Sequence, residues 1–408
     1  MTELVDYNQL VDQCSAVSKI ITAEMAEAVF QCNDYTVKNL SPVWAGNLRK
    51  NMALFHKHGS FVDQFGAFGH GKAIICVGAG PSFNKNKHVL KQIFDLNCQL
   101  PLHAQPFVIV ATNKQLKPML DEGIYPHFTL LIDAGDALLP QFKIPKWACK
   151  DNFLIAGLHC SNKILKHWDR QGGRICFYLI GQDDEKAFFK SETKKDPEQH
   201  VIQQGGNVLN TMWILSHRVL GASTFIMVGN DLGYPYTKDE EKRKAAFYAD
   251  GDYRLNILNR RDEAKTQLAW MGMDLYESSL VQDQLMFDLN LYGTSKQLWV
   301  YKVWLEVQAA IWAEQKSFFI FNASEAGISG VLARSYEPEA LTKRENWFLI
   351  DHLLPKRWLT TTLDKAARQV LEAKKWLGRT ETQTGAAGAE VLPARINTAK
   401  SADQLILA

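Results

Sequence analysis

Glycine, asparagine and aspartate recur immediately after short apolar runs, and these positions are where the chain can do chemistry. Run 73–78 passes into Gly78-Ala79-Gly80-Pro81-Ser82. Glycines there permit a tight turn and close backbone approach, and the amides opening the next helix offer an anion donors and a favourable dipole. Pro81 has no N–H to give, and Phe83 stands where a dinucleotide fingerprint needs its third glycine. The turn therefore suits a phosphate rather than NAD, with a plain tight turn as the bland alternative. Run 107–111 is followed by Thr112-Asn113, run 128–132 by Asp133 and Asp136, and run 153–158 by His159-Cys160-Ser161-Asn162. Run 224–229 leads into Asn230-Asp231, and run 318–321 into Asn322-Ala323-Ser324-Glu325-Ala326-Gly327.

Asn113 can donate to and accept from a base or ribose. Asp133 and Asp231 can bind ribose hydroxyls, position an acceptor or hold Mg²⁺, although each is also a common turn former or helix cap. Gly205-Gly206-Asn207 opens the best helical stretch of the chain, where backbone amides suit a phosphate or a sugar carboxylate and Asn207 suits a cap. His159 is the one histidine at a well-placed strand end, open to a general-base role or to a structural hydrogen bond. His56 and His58 flank Lys57 and so point to different sides of a helix, which disfavours a metal pair. P-loop, serine-nucleophile and zinc spacings are missing from the sequence, which disfavours those chemistries.

The elements that must position these residues are read from periodicity. The apolar runs, with a further one at 175–180, do not alternate with polar residues and so suit strands buried on both faces. Helical patterns between them complete βαβ units, predicting an α/β fold with a mainly parallel, Rossmann-like sheet. Residues 1–70 read as an N-terminal helical region, with one helix ending near Val29 and a second starting at the Ser41-Pro42 cap and stopping at Gly59. A nucleotide-binding domain over 71–335 follows, then C-terminal helices over 336–379, including 343–354 and 363–377. Stretch 238–262 reads as a charged surface insertion, and 380–408 as a flexible tail.

The chain has 408 residues, 46% hydrophobic and 22% charged, with net charge +2. That balance disfavours a dedicated nucleic-acid binder. Seven scattered cysteines fit a reducing compartment, and no apolar run approaches the ~20 residues a membrane helix needs. With no signal-like N-terminus, a soluble cytoplasmic protein is expected.

Four pieces in the same order resemble one family: Ile74-Ile75-Cys76-Val77-Gly78-Ala79-Gly80-Pro81-Ser82; Ala111-Thr112-Asn113 with Leu130-Leu131-Ile132-Asp133; Gly205-Gly206-Asn207 running to Val228-Gly229-Asn230-Asp231-Leu232-Gly233-Tyr234; and the Asn322–Gly327 segment. Together they are similar to the 6-hydroxymethylpterin diphosphokinase MptE-like family, which includes the motility accessory factors that glycosylate flagellin. The resemblance covers about residues 45–335 and implies a Rossmann-like core related to sialyltransferases that use CMP-activated sugars. It makes Gly78, Gly80, Ser82, Asn113, Gly205, Gly206 and Asn207 candidates for the nucleotide donor. It places Asp133, Asp231, Tyr234, Asn322, Ser324 and Glu325 around the acceptor or sugar; with His159 added from its own strand-end position, Asp231, Asp133, His159 and Glu325 are the catalytic candidates. Two departures stand out: Ala326 replaces a glycine of the flagellin-modifying branch, and no histidine lies between Asp231 and Leu275, where Tyr248, Asp250 and Asp252 stand instead.

Three functions follow as expectations. The first is transfer of a nonulosonic-acid-type sugar from a CMP-sugar to a hydroxyl of a protein or small molecule. The second is ATP-dependent pyrophosphoryl transfer to a pterin alcohol, with Mg²⁺ between Asp133 and Asp231. The third is a catalytically inert binding or structural module, and an oligomer is compatible with all three.

Overall fold

The computed structural model describes residues 23–202, 206–235, 249, 273–279, 281–282, 285–286, 290–313, 318–327, 329, 332–335 and 358–381. The expected insertion at 238–262 (Ala249 apart), the helix at 343–354 and the tail from 382 lie outside them.

The chain enters through α1 (Ala23–His58) and the short α2 (Phe61–Phe65). Where two helices were expected, α1 is continuous and Pro42 sits inside it. An internal proline forfeits one backbone hydrogen bond and costs ~3 kcal/mol. The part after Pro42 is anchored by buried side chains: Asn51 Nδ2 donates to the carbonyls of Leu158 and Cys160, both at 2.8 Å. The stop at Gly59 is as expected, with φ +85° and its N–H on Phe55 O at 2.7 Å.

Then come β1 (Ala73–Val77), α3 (Phe83–Cys98), β2 (Phe107–Thr112), α4 (Asn113–Asp121), β3 (Phe128–Leu131), α5 (Lys146–Lys150), β4 (Phe153–Gly157), α6 (Asn162–Arg170), β5 (Arg174–Tyr178), α7 (Asp183–Thr193), α8 (Val208–Arg218) and β6 (Thr224–Val228). Further on lie β7 (Tyr234–Pro235), β8 (Met273–Ser279), β9 (Val281–Gln282), β10 (Leu285–Met286), β11 (Asn290–Ser295), α9 (Lys296–Ala313), β12 (Phe319–Asn322), β13 (Leu332–Ser335), β14 (Trp358–Thr360) and α10 (Leu363–Glu381).

Eight strands form one sheet in the order β14-β12-β6-β1-β2-β3-β4-β5. Every pairing in it is parallel. All seven expected runs are strands of this sheet, and β14, which was not anticipated, closes one edge. Also unanticipated is a second, antiparallel sheet, β13-β8-β11-β7, which grows out of the segment after β6.

The central strand explains the layering. Ile74 and Cys76 of β1 pack on one face with Trp213 of α8 and Trp304 and Trp312 of α9. Ala73, Ile75 and Val77 pack on the other with Phe83, Leu90 and Ile93 of α3 and Leu363 and Val370 of α10. At the β4–β5 end, α1 buries Leu48, Met52 and Phe55 with Trp168 of α6. Among the described residues no helix is long and apolar enough to cross a membrane.

From β1 the chain adds β2 to β5 in one direction, and β6 and β12 in the other. The order therefore reverses between β1 and β6, the position beyond whose carboxyl ends ligands bind in open α/β sheets.

Candidate functional site

At this reversal the turn after β1 and the loop after β6 interlock. The N–H groups of Gly78 and Gly80 donate to Val228 O at 2.8 Å and Gly229 O at 2.9 Å. Ser82 opens α3 and directs both of its donors at Asp231: its N–H reaches Oδ2 at 2.9 Å, and its hydroxyl donates to Oδ1. The N-terminus of α3, the natural seat for an anion, thus holds a carboxylate of the chain itself. Two glycines make room for it. A Cβ on Gly80 would lie 2.4 Å from Asp231 Cγ, and one on Gly327, whose φ is +84°, would lie 2.4 Å from Asp231 Cα. Burial pushes the Asp231 carboxyl up to about 6, against the pull of the two Ser82 hydrogen bonds and the Lys85 charge.

The Asn322–Gly327 segment forms a frame behind this contact. Ser324 Oγ accepts from Asn230 N–H at 3.0 Å, Ser329 Oγ donates to Asn230 O at 2.6 Å, and Asn322 Nδ2 donates to Ser329 O at 2.6 Å. Asn86 of α3 donates to the carbonyls of Ala323 and Ser324 at 2.9 and 3.2 Å. Glu325 has left-handed backbone, φ +58°, and its Oε1 accepts from Leu363 N–H at 3.3 Å, capping α10. Burial raises its carboxyl above the usual range.

The other candidates line the carboxyl ends of β2, β3 and β4. Asn113 is buried and donates to Gln141 Oε1 at 2.8 Å. Beside it Thr112 Oγ1 and both amide atoms of Gln115 are buried without a partner among the described residues. The Asp133 side chain is exposed to water. Crowding by surrounding protein nevertheless pushes its carboxyl up to about 6. Contact with water makes the elevation smaller than full burial would give.

His159 is 4% exposed, and its Nε2 donates to Ile132 O at 3.1 Å. Burial pushes it down to about 4, so the ring is neutral near pH 7. A Cβ on Gly157 would lie 2.5 Å from Nδ1, so the second nitrogen is packed against the end of β4. The histidine expected as a possible base is thus sealed in the core.

The structure brings Asp133 close to His159 on adjacent strands and keeps both from Asp231. The strands β3 and β6 are three spacings apart in the sheet, roughly 14 Å at ~4.8 Å each. One Mg²⁺ needs its oxygens at about 2.1 Å, so that spacing weighs against its being shared by Asp133 and Asp231. Gly206, at φ +82°, and Asn207 open α8, where Asn207 Oδ1 accepts from Asn210 N–H at 2.7 Å. Because α8 leads into β6, its N-terminus lies on the carboxyl side of the sheet. Gly205 and the Tyr234 side chain lie outside the described residues; the Tyr234 backbone pairs with Gly293.

The contacts that α1 makes with the ends of β3 and β4 were not anticipated from the sequence. Asn47 Nδ2 donates to the carbonyls of Ala134 and His159, each at 3.1 Å, and Trp44 meets the His159 ring edge-on at 5.7 Å between centroids. The available signal was Asn47 and Asn51, four apart beside Leu48, Met52 and Phe55. Polar residues at helical spacing on an apolar face are buried for a reason.

The family described as 6-hydroxymethylpterin diphosphokinase MptE-like aligns with β1 to β7 and the helices between them. Residues 44–237 match the MptE-like family. The MptE-like region starts at Trp44, in the part of α1 that touches His159, and so includes the clamp as well as the sheet. No curated protein matches. Among solved structures, the MAf glycosyltransferase from Magnetospirillum magneticum AMB-1 is similar at 14% identity and a TM-score of 0.41, over 63% of this chain and 32% of that one. The chain thus spans about a third of the length of that protein.

Proposed function

We propose that the chain is a nucleotide-dependent transferase, with the donor phosphate at the carboxyl ends of β1 and β6 and the acceptor near Asp133. The match to the MptE-like family supports the transferase class. Of the two group transfers, glycosyl transfer from a CMP-sugar of nonulosonic-acid type to a hydroxyl is the better fit.

One observation carries that choice: the two aspartates play unlike parts. Asp133 is solvated and makes no hydrogen bond through its carboxylate to the described residues, while both Asp231 oxygens are taken by Ser82. A single open carboxylate suits proton abstraction from an acceptor hydroxyl, and helix-terminal donors suit the departing phosphate. In this reading Asp133 is the general base, and Asn113, Gly206 and Asn207 contact the nucleotide. Asn322, Ser324 and Glu325 support the loop after β6 rather than touch the sugar.

Pyrophosphoryl transfer from ATP to a pterin alcohol is the second reading, favoured by the description of the matching family. It requires Mg²⁺, for which Asp133 is the accessible carboxylate. Among the described residues no group of three or more histidine, cysteine or acidic side chains is placed to share a metal. The phosphates would then supply most of the ligands, as they do in many such sites.

Calorimetric titration with CMP, CDP, ATP and GTP, with and without Mg²⁺, separates the readings. Metal-independent preference for cytidine supports glycosyl transfer. Metal-dependent ATP binding replaces it with the second reading, and silence towards all four leaves an inert module of the same fold.

A further inference from the structure

The N-terminus of α3 is already filled. Its first donors, the N–H and hydroxyl of Ser82, both point at the Asp231 carboxylate, which occupies the place an external anion would take. Lys85, one turn into the same helix, adds positive charge towards Asp231 while its Nζ donates to Glu325 O at 3.2 Å.

Next to this contact an acceptor waits for a donor. Asn230 is 1% exposed, and its Nδ2 donates to Cys76 O at 2.7 Å and Val228 O at 2.8 Å, directly below the Gly78 turn. Its Oδ1 is buried there with no partner among the described residues. An orphaned buried acceptor is destabilising, and a hydroxyl-bearing ligand or water would relieve it.

The surrounding backbone is held away from its preferred conformation. Leu232, immediately after Asp231, has φ +49°, and Glu325 in the facing loop has φ +58°. Left-handed backbone is unfavourable for an L residue other than glycine. The filled arrangement is thus maintained against local strain on both sides.

We propose that Asp231 is a built-in anion at the N-terminus of α3, and that the phosphate ester of a hydroxyl-bearing ligand enters this seat by exchanging with it. Ser82 changes partners: its N–H and hydroxyl leave the carboxylate and donate to phosphate oxygens. Asp231 turns away with the loop 229–233, and Leu232 is released from its left-handed conformation. The contact is an autoinhibitory plug, one that keeps the seat closed to weak anions until a ligand with enough additional contacts displaces it. The exchange rests on the nucleotide-binding reading for the identity of the ligand, but not for the existence of the seat.

The test uses the full chain, with inorganic pyrophosphate and CMP as probes in calorimetric titrations at pH 7.5. Asp231→Asn keeps the shape and removes the charge; Asp231→Ala empties the seat. Both are expected to bind pyrophosphate and CMP at least tenfold more tightly than the wild type, and adding Ser82→Ala is expected to abolish the gain. If either Asp231 variant is destabilised, as its melting temperature would show, Ser82→Ala alone decides, with CMP affinity expected to fall at least fivefold. Equal or weaker binding by folded Asp231 variants overturns the exchange, as does a gain that survives Ser82→Ala. CMP binding that ignores Ser82 overturns the seat while leaving the nucleotide reading intact. Ser82-dependent pyrophosphate binding without affinity for any nucleotide does the reverse.

Discussion

Asn47 on the first helix holds the backbone of His159: its Nδ2 bridges the carbonyls of His159 and Ala134 at 3.1 Å each. The same carboxamide thereby fixes the residue after Asp133 and the end of β4 relative to each other. Asn47→Leu removes both bonds and leaves two carbonyls unpaired. It is expected to cost about 2–4 kcal/mol at ~1–3 kcal/mol for each orphaned group, less what water recovers. Chemical denaturation of the variant would measure this. A loss below 0.5 kcal/mol would mean that the clamp is ornamental.

Glu185 gives a pH-dependent term of opposite sign to the usual carboxylate. Its Oε2 accepts from Ile180 and Gly181 N–H at 2.8 and 2.9 Å, while Oε1 is buried without a partner among the described residues. Burial raises its pKa from 4.5 to about 7. The folded protein thus binds more protons than the unfolded chain between those values, and stability falls as pH rises through this window. The effect is on the order of 3 kcal/mol at about 1.4 kcal/mol per pKa unit. Glu185→Gln, which keeps an acceptor and cannot ionise, is expected to be more stable than the wild type at pH 8 and close to it at pH 4.5. Urea midpoints at the two pH values provide the comparison, and parallel behaviour at both would refute the assignment.

The glycines facing Asp231 should be unequal in their tolerance of a methyl group. Gly80→Ala places a Cβ 2.4 Å from Asp231 Cγ, a clash that can be relieved by moving one side chain. Gly327→Ala meets the backbone of Asp231 at 2.4 Å and also carries φ +84°. The first is expected to cost about 1–3 kcal/mol, the second ~1 kcal/mol more. Asp231→Ala should recover most of the loss from Gly80→Ala and little of that from Gly327→Ala, as a double-mutant cycle of melting temperatures would show.

Asp133 supplies a kinetic prediction for the glycosyl-transfer reading. A base with its pKa near 6 is active when deprotonated, so kcat/KM should rise with pH to a plateau above about 7. Asp133→Asn should lower kcat by ~10²–10⁴-fold, with donor affinity little changed. A variant that retains full turnover with the same pH limb would remove Asp133 from the chemistry.

The parallel sheet was legible because its strands are buried on both faces, which writes them as unbroken apolar runs such as Ile74-Ile75-Cys76-Val77. The edge strand β14 escaped notice because Trp358–Thr360 is three residues long, too short for any period. The continuity of α1 through Pro42 was hidden because Ser41-Pro42 has the local signature of a helix start, and only tertiary anchoring by Asn47 and Asn51 overrides it. Residue types placed the polar candidates at the carboxyl edge of the sheet, yet did not show what each residue touches. The Gly80–Asp231 contact joins positions far apart in sequence, and the missing Cβ is explained by a carboxylate that local pattern cannot locate.

The order of the strands also has a consequence during synthesis. β1 pairs with β2, whose Phe107 lies opposite Ala73, and on its other side with β6, whose Thr224 lies opposite the same residue. The second partner is thus made 224 − 73 = 151 residues after Ala73. At ~5–20 residues per second, a ribosome takes about 8–30 s to deliver it. For that interval an apolar strand destined for the centre of the sheet presents an unpaired edge, a template for other nascent chains. Yield of native protein should therefore respond to translation speed and to chaperone supply more than to the stability of the finished fold.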